Sequence, residues 1–125
     1  MNQVTLTVPA QAEFLHVLRT VISSVAARQD FSVDSLDDLR LSVDEAGSYL
    51  LGLKANMLTL KVQTGDSELV AVIGTDAEVS LWPPEGIEQR ISWKILCGLT
   101  DDASFTREEW GPAIRLVKRR ASLNI

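Results

Sequence analysis

Val4, Leu6 and Val8 alternate with Thr5 and Thr7 before Pro9. This is the period-2 pattern of a half-buried strand, ended by a residue that cannot donate to a ladder. From Ala10 to about Gln29 the period changes, and Phe14, Leu18, Val21, Ile22 and Val25 recur at three- and four-residue spacing, which predicts a helix with one apolar face. A second helix carries the most regular stripe in the chain. Leu36, Leu39, Val43, Ala46, Leu50 and Leu53 step by 3, 4, 3, 4 and 3 residues, after Ser32 and Ser35, either of which suits an N-cap. Its other side holds Asp34, Asp37, Asp38, Asp44 and Glu45. At about 100° per residue these form one broad acidic stripe, partly in the first turns, where the helix dipole favours negative charge.

After Gly52 and Asn56, Leu58, Leu60 and Val62 alternate with polar residues, and Thr64-Gly65-Asp66-Ser67 reads as a turn into Leu69–Ile73, a β-hairpin. Val79–Trp82 is expected as a short strand before Pro83-Pro84, and Ile87, Ile91, Ile95 and Leu99 as the inner stripe of a third helix. Phe105–Trp110 and Ala113–Lys118 read as two closing strands joined at Gly111-Pro112, with fraying from Arg119 onward. Helices and strands segregated in this way indicate an α+β sandwich and not alternating βαβ units.

The chain of 125 residues, 46% hydrophobic, suits a single domain spanning residues 1–125. The longest apolar runs are far below the roughly 20 residues that span a bilayer, and the amino end has no signal-peptide pattern, so no membrane association and a cytoplasmic location are expected. Cys97 is the only cysteine and no Cys/His cluster exists, so no structural metal is expected. A net charge of −5 argues against direct nucleic-acid binding and for protein partners.

Phosphate-loop, dinucleotide-turn and nucleophile-elbow motifs are absent. His16 lacks a nameable partner for acid–base work and reads as a surface or partly buried residue. Cys97, among Ile95, Leu96 and Leu99, reads as a small packed hydrophobe, and Trp82, Trp93 and Trp110 as cover for the core.

Leu39-Arg40-Leu41-Ser42-Val43-Asp44-Glu45-Ala46, preceded by Val8-Pro9-Ala10 and Phe14-Leu15-His16-Val17-Leu18-Arg19, resembles the amino half of the bacterial anti-sigma-factor serine kinases, of the ATPase superfamily shared with histidine kinases and gyrase. The resemblance is good over residues 4 to 50. Beyond them it rests on element order and on the ending Ile114-Arg115-Leu116-Val117-Lys118-Arg119. It implies a two-layer sandwich with a mixed, mostly antiparallel sheet, three helices on one face, and nucleotide held between the second helix and glycine-rich segments. It also implies that Glu45 stands at the catalytic-base position, and that Tyr49 stands where the family places an asparagine that reaches magnesium and the phosphates. A phenol is a poor magnesium ligand, because magnesium prefers compact oxygen donors in octahedral geometry. The family's Asp-x-Gly-x-Gly segment corresponds to Ile73-Gly74-Thr75-Asp76-Ala77-Glu78-Val79, where Asp76 is followed by Ala77 and Glu78 in place of spaced glycines and only Gly74 could represent them, and its third glycine segment is reduced to Gly86 in Pro84-Glu85-Gly86-Ile87. Phosphoryl transfer depends on positioning and electrostatics, so these losses weaken the kinase reading.

The expected function is regulation of sigma-factor activity by protein binding, as a degenerate family member with weak or lost ATP binding. The partners expected are a sigma factor, an anti-anti-sigma protein, or both, with homodimer formation also open. No cofactor is expected unless the family activity is retained, in which case it is magnesium-ATP. The first alternative is an active protein-serine kinase using Glu45 as base, with Asp44 or Ser48 as substitute magnesium ligand. The second is an unrelated small α+β module for dimerisation or ligand binding.

Overall fold

A computed structural model describes residues 2–120 of the chain. Five strands, β1 (Asn2–Pro9), β2 (Met57–Thr64), β3 (Glu68–Thr75), β4 (Asp102–Glu108) and β5 (Gly111–Arg119), form one sheet in the order β1-β2-β3-β5-β4. All four pairings are antiparallel, so the expected mixture with parallel strands is absent among the described residues. Helices α1 (Leu15–Arg28), α2 (Val33–Leu51) and α3 (Ile91–Leu99) cover one face, with α2 between the other two. The architecture is thus a two-layer α+β sandwich.

The core lies where the two periodicities meet. Val8, Leu58, Leu60, Val62, Leu69, Ala71, Ile73, Ile114 and Leu116 turn one side of the pleat toward Leu18, Ile22, Leu39, Val43, Ala46 and Leu50, and all are buried. Ser32 caps α2, its hydroxyl accepting from the Ser35 amide at 3.1 Å. Lys118 sits at the carboxyl end of the inner sheet face. Its ammonium donates to Asp38 Oδ2 at 2.9 Å and to the Leu99 carbonyl at 2.8 Å, which ties β5 to both α2 and α3. Lys118 is therefore an internal brace and not a free surface cation.

The carboxyl half departs from several sequence expectations. Val79–Trp82 forms no strand. Its predecessor β3 already has β2 and β5 as neighbours, so the chain leaving it meets no free edge. The third helix is broken by the extended backbone of Arg90, leaving Ile87–Gln89 as a separate 3₁₀ turn. Its buried side is set by Leu96 and Trp93, while Ile91 is 76% and Ile95 40% exposed. The final hairpin turns at Glu109-Trp110, since Gly111 already pairs with Glu108. Arg119 of β5 pairs with Glu68 of β3, and the Arg120 amide donates to the Ser67 carbonyl at 2.7 Å, so the predicted fraying does not begin at Arg119. The rest of that expected frayed tail, residues 121–125, lies outside the described residues.

Candidate functional site

Glu45 and Tyr49 lie one turn apart on the flank of α2 that faces α3, and both are partly exposed. The Glu45 carboxylate has no hydrogen-bond or ion-pair partner among the described residues. Tyr49 packs instead into an aromatic series. Its ring centroid is 6.2 Å from that of Trp82, Trp82 meets Phe105 edge-on at 5.3 Å, and Phe105 stacks on Trp93 at 4.2 Å. The Trp82 indole N–H donates to the carbonyls of Thr106 at 3.0 Å and Ala113 at 3.3 Å, which fastens the irregular segment after β3 onto β4 and β5. Burial pushes the Tyr49 phenol above its ordinary pKa, an effect that the positive charge of Arg90 partly offsets.

The acidic residues of α2 do not form one free stripe. Asp44 is held by Arg19 of α1 at 2.6 Å, and Asp37 by Arg40 at 2.8 Å, with Arg40 also donating to Ser23 of α1. Asp38 turns the other way, to Lys118. Asp34 and Glu45 are the members of the set left without a partner among the described residues. Three of the five carboxylates are matched to cations, which leaves little of the acidic stripe uncompensated.

Asp76 follows β3 directly. Its Oδ1 accepts from the backbone amides of Asn56 at 2.9 Å and Met57 at 3.1 Å, so it closes the connection from α2 into β2. These two amides, Met57 first, hold its carboxyl below the ordinary range. Gly74 lies within β3, not in a loop. A side chain there would meet the Trp110 ring, the Pro112 carbonyl and Ala113 Cβ, so close packing is what requires the glycine. Gly86 has φ of +79°, a left-handed conformation that favours glycine, and opens the Ile87–Gln89 turn beside a shallow cavity of about 320 Å³. The structure does not gather Asp76, Gly74 and Gly86 around Glu45 through any hydrogen bond or ion pair among the described residues.

No family model matches the chain. Over 131 aligned residues it is 30% identical to the anti-sigma-F factor RsbW of Mycobacterium tuberculosis, covering 98% of this chain and 76% of the relative. The chain belongs to the anti-sigma-factor serine kinase family. A second relative, the serine-protein kinase RsbW of Bacillus subtilis, is 37% identical over 45 residues, 36% of this chain and 28% of that protein.

Family membership overturns the alternative of an unrelated α+β module. It also frames what local pattern could not supply. Trp82 packs on Tyr49 and Phe105 packs on Trp82, contacts between separate elements that spacing along the chain does not specify. His16 is exposed, its Nδ1 donating to the Glu13 carbonyl at 2.7 Å. Cys97 is exposed and not packed as expected. Its sulfur is nonetheless shielded enough that desolvation, reinforced by Asp102, raises the thiol pKa and disfavours a reactive thiolate. Among the described residues, no three His, Cys, Asp or Glu side chains gather at a metal-binding distance. No helix among them is long and apolar enough to cross a membrane.

Proposed function

We propose that this family member controls a sigma factor by binding protein partners, namely a sigma factor and an anti-anti-sigma protein, with magnesium-ATP binding weak or lost. The observation that carries this reading is the packing of Tyr49 against Trp82, at the position where the family resemblance places a magnesium-reaching asparagine. An aromatic wedge there replaces a compact oxygen ligand with a phenol and fills space between α2 and the segment after β3. Asp76 supports the same reading, because one carboxylate oxygen is already committed to two backbone amides. So does Gly74, whose missing side chain makes room for Trp110 and not for a ligand. The residues present fit a packed interior better than a magnesium nucleotide. The partner assignment draws on the relative named anti-sigma-F factor, aligned over most of both chains.

A second reading, an active serine kinase, is favoured by Glu45, which stands at the family's base position with no competing partner. Of its two substitute magnesium ligands, Asp44 is bonded to Arg19 on the α1 side of the helix, and Ser48 is exposed. Thermal melting with and without magnesium-ATP separates the two readings, because a ligand that binds only the folded state raises the melting temperature. No shift at sub-millimolar nucleotide is expected, together with direct co-purification of a sigma factor from the matching operon. A magnesium-dependent shift at micromolar ATP overturns the loss of nucleotide, and failure to bind any sigma factor or anti-anti-sigma protein overturns the partner assignment.

A further inference from the structure

We infer that the groove between α1 and α2 binds a phosphate group, either the free anion or the end of a phosphomonoester. It lies on the flank of α2 turned toward α1, away from Glu45 and Tyr49, and does not rest on the loss of nucleotide proposed above.

His16, Arg19, Thr20 and Ser23 stand at i, i+3, i+4 and i+7 of α1, so they share one face of that helix. Ser24 adjoins them, and Arg40 reaches over from α2. These six side chains line an open cavity of about 320 Å³, in which no apolar side chain and no carboxylate takes part among the described residues. A cavity of that size admits a phosphate group together with a small organic remainder.

The two arginines are fixed in place and still have donors free. Arg19 gives one N–H to Asp44 at 2.6 Å. Arg40 gives its Nε–H to the Ser23 hydroxyl at 2.8 Å and a second N–H to Asp37 at 2.8 Å. A guanidinium carries five N–H groups in a rigid fork, so each arginine keeps others to offer, and its side chain is ordered before a ligand arrives. Neither aspartate lines the cavity. Their charges weaken the attraction for an anion, which sets the expected affinity in the millimolar range and not the nanomolar.

The hydroxyls and the imidazole decide which anion fits. The Ser23 hydroxyl accepts from Arg40, which leaves its own proton to donate, and Ser24 has no side-chain partner among the described residues. Thr20 uses its proton on the His16 carbonyl at 2.8 Å, and His16 Nδ1 donates to the Glu13 carbonyl, so Thr20 Oγ1 and His16 Nε2 remain as acceptors. The groove thus presents donors to bare oxygens and acceptors to a protonated one. A phosphate group, with a second pKa of about 6, carries both kinds of oxygen near neutral pH. Sulfate, fully deprotonated there, matches only the donors.

The test is calorimetric titration of the full chain at low salt, near the second pKa of phosphate, with inorganic phosphate, O-phosphoserine and sulfate. One saturable site with a Kd on the order of 1 mM is expected for the phosphate ligands, and sulfate is expected to bind about tenfold more weakly. Tighter binding of O-phosphoserine supports the site with a phosphomonoester as its ligand, and tighter binding of inorganic phosphate supports it with the free anion. Arg40→Gln removes a charged fork and is expected to weaken binding about tenfold, with folding checked by circular dichroism. Ser24→Ala removes no side-chain contact within the described residues, and is expected to weaken binding several-fold at an unchanged melting temperature. No saturation by either phosphate ligand up to about 20 mM, sulfate bound as tightly as phosphate, or binding unchanged by both substitutions each overturns the proposal.

Discussion

Trp110 occupies the space in which a side chain on Gly74 would begin. One residue is in the turn between β4 and β5 and the other is inside β3, so this contact anchors the last hairpin to the centre of the sheet. It also accounts for a glycine that family resemblance alone assigns to nucleotide binding.

Gly74→Ala is expected to destabilise the fold by about 1–3 kcal/mol, the usual cost of overpacking. The new methyl group would lie 2.6 Å from the Pro112 carbonyl oxygen and 2.7 Å from Ala113 Cβ, neither of which is the free end of a flexible side chain. Urea unfolding measures the loss. Adding Trp110→Ala should not restore it, because the Pro112 and Ala113 contacts persist and the anchoring ring is lost.

The depressed carboxyl of Asp76 makes stability depend on pH in a stated direction. An acid whose folded pKa lies below its unfolded value contributes stability that is complete above the unfolded value, here 3.8, and is lost as pH falls through the folded pKa. Melting temperature should therefore decline as pH is lowered below 4, and Asp76→Asn should flatten that limb while lowering stability at neutral pH. An unchanged acid limb in the variant would place the effect on other carboxylates.

Tyr49 is the only tyrosine, so its ionisation is read directly from ultraviolet absorbance. Burial raises its pKa above 10.0, against the smaller opposing effect of Arg90. The stabilisation is full below the unfolded value and lost as pH rises through the folded one. The native protein should titrate later than the urea-unfolded chain, and Tyr49→Phe should keep the packing on Trp82 while removing this alkaline limb. Coincident titration of folded and unfolded chains would show a solvated phenol.

Leu50 is fully buried in α2, and Leu50→Ala should cost about 2–5 kcal/mol as a core truncation. Ile91→Ala should change stability by no more than about 0.5 kcal/mol, because that side chain is largely in water. Thermal or urea unfolding of the two variants side by side checks which faces of α2 and α3 form the core.

Local periodicity was enough to place β1, α1, α2 and the β2–β3 hairpin, because each carries several repeats of one pattern between clear breakers. The stripe from Leu39 to Leu50 predicted its own burial, and residues 4 to 50 carried the family resemblance that the comparison over 98% of the chain established. The inward face of α3 could not be read the same way. In a helix of nine residues with apolar groups around most of its circumference, Leu96 and Trp93 face inward because α2 and Phe105 are there to receive them. The partners of charged and aromatic groups were equally hidden. Lys118 meets Asp38 across 80 positions of sequence, Trp82 meets Thr106 and Ala113 across 24 and 31, and Asp76 meets Asn56 and Met57 across 20 and 19. Spacing along a chain specifies which side chains share a face of their own element. Which element comes to cover that face depends on how all the faces pack together, and only the tertiary structure decided that.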